Sequence, residues 1–259
     1  MPQKPVLAVL CASIGFIPAL RAQPQLTARE LFYSAAQPAP QAANMPEAPK
    51  STPKRAAPAP SAGPALGLKY SILRREGDNM AEVPTDTVFH AGDRIQFSVQ
   101  TNTPGYLYII SQGSSGTWKP MFPSPDVENG DNRVEGLRGV VMPPGSRIVF
   151  DEQTGVEKVF IVLSRQPEPD LEKMIYSLQG KPQPAAAPAP RSAPKQLLVA
   201  SIDDGVVGRL RNAYARDLVI EKVDSAPAAG EKKEYAVYVV NPSGSSDSRV
   251  VADLHLVHQ

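Results

Sequence analysis

The chain has 259 residues, 27 of them basic and 26 acidic, for a formal net charge of +1. That balance lacks the basic excess of a nucleic-acid binder, so no nucleic-acid partner is expected. The lone cysteine, Cys11, lies within residues 1–22; a chain cut after residue 22 has no disulfide, no thiol nucleophile and no thiolate metal site.

Residues 1–22 read as a secretory signal peptide. Lys4 is a short basic head, Pro5 to Leu20 is an uncharged and mostly apolar run, and Ala22 is a small residue at a cleavage point before Gln23. The run falls short of the roughly 18–20 residues of a membrane span. The other reading, an uncleaved N-terminal anchor, stays open, whereas Ala8-Val9-Leu10 before Cys11 does not suit a lipoprotein. Removal of Lys4 and Arg21 with this segment changes the net charge from +1 to −1. The expected location is the periplasm or exterior of a bacterium, with no membrane span after cleavage.

Residues 23–65 hold a short island and a tether. In L-T-A-R-E-L-F-Y-S (26–34), Thr27 and Glu30 have capping-box spacing, and Leu31, Phe32 and Tyr33 follow. This reads either as a helical turn with no core of its own or as a docking peptide for another protein. Residues 35–64 are rich in Pro and Ala, part of a total of 28 prolines, about twice ordinary usage. Such a stretch cannot bury a core and is expected to be extended and disordered, with polyproline II character.

The folded part is expected over 66–259: a family-like core at 66–178, a Pro-rich excursion at 179–195 and completing elements at 196–259. Leu68 to Arg74 alternates as a strand does. The clearest β pattern runs from Phe89 to Pro123. Ile95, Phe97 and Val99 alternate with Arg94, Gln96, Ser98 and Gln100, the period of a half-buried strand. Asn102-Thr103-Pro104-Gly105 supplies turn chemistry, Tyr106 to Ser111 a second strand, Gly113 to Gly116 another turn, and Trp118 to Phe122 a third strand. The three read as a β-meander. Val134 to Met142 reads as a weak strand pair and Arg147 to Asp151 as a short strand. Glu157 to Ser164 is apolar on both faces and so central. Leu171, Met174, Ile175 and Leu178 then fit one helical face behind Pro169. Beyond the excursion come a strand (196–202), a helix (204–214) with Val207, Leu210 and Tyr214 on one face, a strand (218–223) and a hairpin of 235–241 with 250–258. The expected fold class is mainly β, an antiparallel β-sandwich with one or two short helices.

Several of these segments, in order, carry a family resemblance: F-H-A-G-D-R-I-Q-F-S-V, N-T-P-G-Y-L-Y-I-I, M-F-P, D-N-R-V, P-P-G and T-G-V-E-K-V-F-I-V-L-S. Together they resemble the bacterial family catalogued as domain of unknown function 4384, over roughly Leu66 to Ser164. The flanks L-T-A-R-E-L-F-Y and N-P-S-G-S-S-D-S-R-V-V-A-D-L-H-L-V-H are similar to secreted acidobacterial members. The resemblance implies an envelope or secreted β domain, joined in some proteins to kinase or caspase-like domains. It implies no known activity and brings no catalytic residues.

The residues themselves offer little chemistry. Asp126, Glu128, Asn129 and Asp131 cluster around Gly130, but Leu137 stands where an EF-hand needs its closing glutamate. A solvated acidic loop fits better. His255 and His258 point to opposite faces of one strand, and His90 precedes a turn, so no metal site is expected. Ser51 to Lys54 and Ser192 to Lys195 match S-x-x-K only inside Pro-rich spacers, and no nucleophile elbow, zinc-helix, Walker or dinucleotide motif occurs. The protein is therefore expected not to be an enzyme and to need no cofactor. The binding candidates are Tyr106 and Tyr108 on one strand face with Trp118 and Phe122 on a neighbour, which would stack sugars or meet a protein if that face is open and would be core if it is closed. Arg209, Arg211 and Arg216 form a minor basic stripe, expected to be a solvated helix face. The leading expectation is a non-catalytic envelope module binding a protein or glycan. The alternative is an accessory subunit that regulates an envelope enzyme, with Leu31, Phe32 and Tyr33 as its docking segment.

Overall fold

Ile95, Phe97 and Val99 point into a core between two sheets, while the alternating Gln96, Ser98 and Gln100 line an outer face. The computed structural model describes residues 26–36, 63–113, 116–124, 130–178, 202, 204–225 and 233–259. The excursion at 179–195, most of the expected strand 196–202, and Asp126, Glu128 and Asn129 lie outside these residues.

In chain order the elements are α1 (Ala28–Ala36), β1 (Leu66–Glu76), β2 (Asn79–Val83), β3 (Val88–Phe89), β4 (Arg94–Thr101), β5 (Gly105–Gln112), β6 (Trp118–Phe122), β7 (Arg133–Val134), β8 (Gly139–Met142), β9 (Ile148–Val149), β10 (Gly155–Ser164), α2 (Pro169–Leu178), α3 (Asp204–Tyr214), β11 (Val219–Ser225), β12 (Glu234–Asn241) and β13 (Arg249–His258). The first sheet has seven strands in the order β11-β12-β1-β4-β8, with β2 also on β1 and β9 also on β4. The second has six, β3-β13-β10-β5-β6, with β7 also on β5. All pairs are antiparallel except the short parallel contact of β13 with β3.

The fold is the mainly β sandwich that the alternation leads one to expect, with α1, α2 and α3 on its outer faces. Leu68, Ile72, Phe97, Leu107, Ile161 and Val239 are among the side chains buried between the sheets. On the far side of the second sheet, Tyr108, Ile110, Phe160 and Val162 pack under Leu171 and Ile175 of α2 and Val207 and Leu210 of α3. On the far side of the first sheet, Ala236, Tyr238 and Val240 pack under Ala28 and Phe32 of α1. β10, apolar on both faces, is central, flanked by β13 and β5.

Three local pairings differ from expectation. β4 and β5 do not form the first hairpin of a meander; they lie in different sheets. Asn102 explains how the chain leaves β4: its side chain accepts from the Gly67 N–H at 2.7 Å and donates to the Ala65 carbonyl at 3.0 Å, while its own N–H donates to the Gly67 carbonyl at 3.0 Å. The turn is thus fastened to β1. β4 is apolar on one face only and suits a sheet with a solvated outer side; β5 is apolar on both and suits the covered sheet. β12 and β13 likewise form no hairpin: β12 lies between β11 and β1, and β13 between β3 and β10. β7 and β8 also separate, β7 joining β5 and β8 joining β4. In each case the strands pack across the core instead of pairing along their edges.

Candidate functional site

The aromatic set is closed. Tyr108, Trp118 and Phe122 are 1%, 2% and 3% exposed, and Tyr106 is half-buried. Trp118 and Phe122 do not share a face. The pairing of β6 with β5 slips between Ile109 and Ile110, so Trp118 stands beside Gln112 on the helix-covered side while Phe122 stands beside Ile109 in the inter-sheet core. A bulge of this kind shifts the two-residue period by one. The Trp118 indole N–H donates to the Asp204 carboxylate at the start of α3, and the backbone of Ile202 bridges to Trp118. The Tyr108 hydroxyl donates to Glu172 at 3.0 Å and accepts from the Glu168 N–H at 2.8 Å. Burial pushes this phenol well above its ordinary range, and the charge of Glu172 adds to the shift. Glu168, itself buried, holds Arg249 at 2.7 Å, and Arg249 lies 4.7 Å over the Tyr214 ring. These groups fasten α2 and α3 to the sheet and leave no open aromatic platform.

Other sequence candidates are scattered. His90 and His255 are exposed, whereas His258 is buried beside Phe150, 5.0 Å between ring centroids, with neither ring nitrogen hydrogen-bonded among the described residues. Asp131 accepts from the Arg133 N–H at 2.9 Å. Arg211 is engaged bidentately by Asp253 at 2.7 and 2.6 Å, and only Arg209 and Arg216 of the basic stripe are exposed. Phe32 is fully buried on its own sheet, Leu31 is half-buried and Tyr33 is 40% exposed.

The feature sequence reasoning missed is the open side of the sandwich. β8 and β9 run along the outer side of β4, and β6 and β7 along the outer side of β5; among the described residues no strand pairs with the far edge of β7, β8 or β9, and β6 carries there only the bridge from Ile202 to Trp118. Two clefts lie along this side. The larger, about 610 Å³, has Phe122, Val134 and Val140 in its lining and Asp131, Arg133 and Arg138 among its charged residues. The smaller, about 380 Å³, runs from Lys119 and Met121 to Ile148 and Glu157. Apolar side chains emerge beside them: Leu137 is 46% exposed, Val141 40% and Val149 54%. Leu137 takes φ of 61°, a left-handed conformation that strains a bulky residue by about 1–3 kcal/mol. Its N–H to Thr101 at 2.7 Å and its carbonyl from Gln100 at 2.6 Å hold it there. The signal for this site was present in the sequence as M-F-P, D-N-R-V and P-P-G: Phe122, Arg133, Val134 and Pro144 from those segments meet at the larger cleft.

The fold and this edge define a β-sandwich module flanked by helices, with two clefts along one open side. Residues 88–167 match the family model described as Domain of unknown function (DUF4384), which supports the resemblance read from the residues. The match spans β3 to β10 and includes every residue that lines the two clefts. Comparison with curated proteins and with solved structures gave no match. Among the described residues, no helix is long and apolar enough to cross a membrane.

Proposed function

We propose that the protein is an exported, non-catalytic interaction module of a bacterial envelope, and that its open β7–β8 edge receives an extended segment of a protein partner. The observation that carries this reading is the pairing of an unpaired strand edge with an apolar-floored cleft inside the region that matches the family. An open edge offers backbone donors and acceptors to an added strand, and flanking pockets select alternate side chains. Val141 and Leu137 supply exposed apolar contact, and Asp131, Arg133, Glu135 and Arg138 supply charge of both signs around it. A glycan would be gripped by exposed aromatic faces, and Tyr108 and Trp118 are covered, so a protein segment is the better fit. Export rests on residues 1–22, and the non-catalytic reading on the lack of a catalytic motif in the sequence. In the alternative, docking of 26–34 on an envelope enzyme, Phe32 must first leave its own sheet.

The test is capture from envelope extracts with the full chain, a Val141→Lys variant and an Ile220→Lys control on β11, where Ile220 is 64% exposed. The expected result is a partner retained by the intact chain and the control and reduced at least tenfold by Val141→Lys. Hydrogen exchange should then show the β8 amides protected when that partner is added. Equal capture by all three chains, or none above a tag-only control, rejects the edge as the binding surface.

A further inference from the structure

α1 packs on the outer face of the first sheet, against β1, β11 and β12. The Phe32 side chain is fully buried over Gly67 of β1, where a Cβ would fall 2.8 Å from the Phe32 ring. Only glycine at 67 leaves room for that ring. Tyr238 meets Phe32 edge-on at 5.5 Å, and the Tyr33 and Tyr238 hydroxyls are 3.3 Å apart. At the rim, the Arg29 guanidinium lies 3.2 Å from Glu234 and the Arg29 N–H donates to Glu221 at 2.8 Å. The helix caps itself: the Thr27 N–H donates to Glu30 at 2.9 Å and the Glu30 N–H to the Thr27 hydroxyl at 3.2 Å. Just ahead of β1, the Gly63 N–H donates to the Gly244 carbonyl at 2.9 Å.

We propose that α1 is a releasable latch. Seated, it covers Gly67, Ala236 and Tyr238 of the first sheet and the rim carboxylate of Glu234; released, it uncovers that groove. The groove is shaped for this one segment, with a small residue at 28, a ring at 32 and a cation at 29. Release is within reach because nine residues make a marginal helix on their own. The seat is centred on one aromatic ring, and the rim pair, with Arg29 46% exposed, is screened by salt. The inference does not depend on the β7–β8 edge.

Spin labels on Ser34→Cys and Ile220→Cys, in the full chain carrying Cys11→Ser, read the state directly. The intact latch should give one short, narrow distance. Phe32→Ala should move more than half of the molecules to longer, broad distances, and Arg29→Glu, which leaves the buried ring in place, should move a smaller share. A thermal melt of each variant checks that the sandwich stays folded. A synthetic peptide of residues 26–36 should bind the Phe32→Ala chain at least tenfold more tightly than the chain with its latch seated, since a tethered helix competes at an effective millimolar concentration. A broad distribution in the chain without latch substitutions, an unchanged one in both variants, or equal peptide binding to both chains overturns the latch.

Discussion

Glu168 shows how much a single side chain carries here. Its N–H donates to the Tyr108 hydroxyl, its carbonyl accepts from the Glu172 N–H at the start of α2, and its carboxylate holds Arg249 of β13. The Glu168 and Arg249 side chains are 7% and 19% exposed, so removing Arg249 leaves the Glu168 carboxylate buried without its cation. Such a loss costs roughly 3–5 kcal/mol, whereas removing one neutral hydroxyl costs about 1–3 kcal/mol. Arg249→Met should therefore lower the stability measured by urea unfolding by about 3 kcal/mol, and Tyr108→Phe by about half of that. If Arg249→Met unfolds at the same urea concentration as the unaltered protein, the pair is not a structural tie.

At the scale of elements, α3 depends on a contact that spans far in sequence. The Trp118 indole N–H and the Gln112 amide both reach Asp204. Trp118→Phe keeps the ring in the apolar cluster but loses the indole donor. Hydrogen exchange of the α3 amides should speed up at least tenfold near the first turn, while those of β5 and β10 stay as they are; unchanged α3 exchange would show that the apolar face alone holds the helix. Most elements were legible in the sequence because each rests on a local pattern: Ile95, Phe97 and Val99 for β4, Leu171 and Ile175 for α2, Val207 and Leu210 for α3. Their partners were less so. A polar connection such as Pro242 to Ser248 has the composition of a hairpin loop, yet the strands it joins enter different sheets. What decides is the covering of each strand's second face, and that covering comes from helices distant in the chain. The bulge that parts Trp118 from Phe122 was hidden for a related reason, since it shows only in the pairing of β6 with β5.

Taken as a whole molecule, the sandwich is larger than the stretch that matches the family. Residues 88–167 contain β3 to β10 but lack β1, which separates β4 from β12, and β13, which separates β10 from β3. Without those strands, Phe97, Ile161 and Leu163 lose their partners across the core or along the sheet. A chain cut to residues 88–167 should accordingly show no cooperative thermal transition and should bind a dye for exposed apolar surface, while residues 26–259 unfold in one transition. A cooperative melt of the fragment would mean that the outer strands are additions to a self-sufficient unit. The candidate site was half legible: the segments that line the larger cleft stood out by resemblance, but their convergence on one edge needed the crossing of the chain from sheet to sheet.

The place of β13 has one more consequence, in the order of events during synthesis. Its residues, 249–258, are made after every other described strand, yet it lies inside the second sheet, against the whole length of β10. A ribosome or a secretion channel that releases the chain from its N-terminus thus delivers β3, β5 and β10 before the strand that completes them exists. During that interval the edge of β10, rich in Val and Ile, is open to whatever is near. Strand pairs so distant in sequence also form slowly. The need for a chaperone is therefore greatest in the moments before the ten residues of β13 arrive.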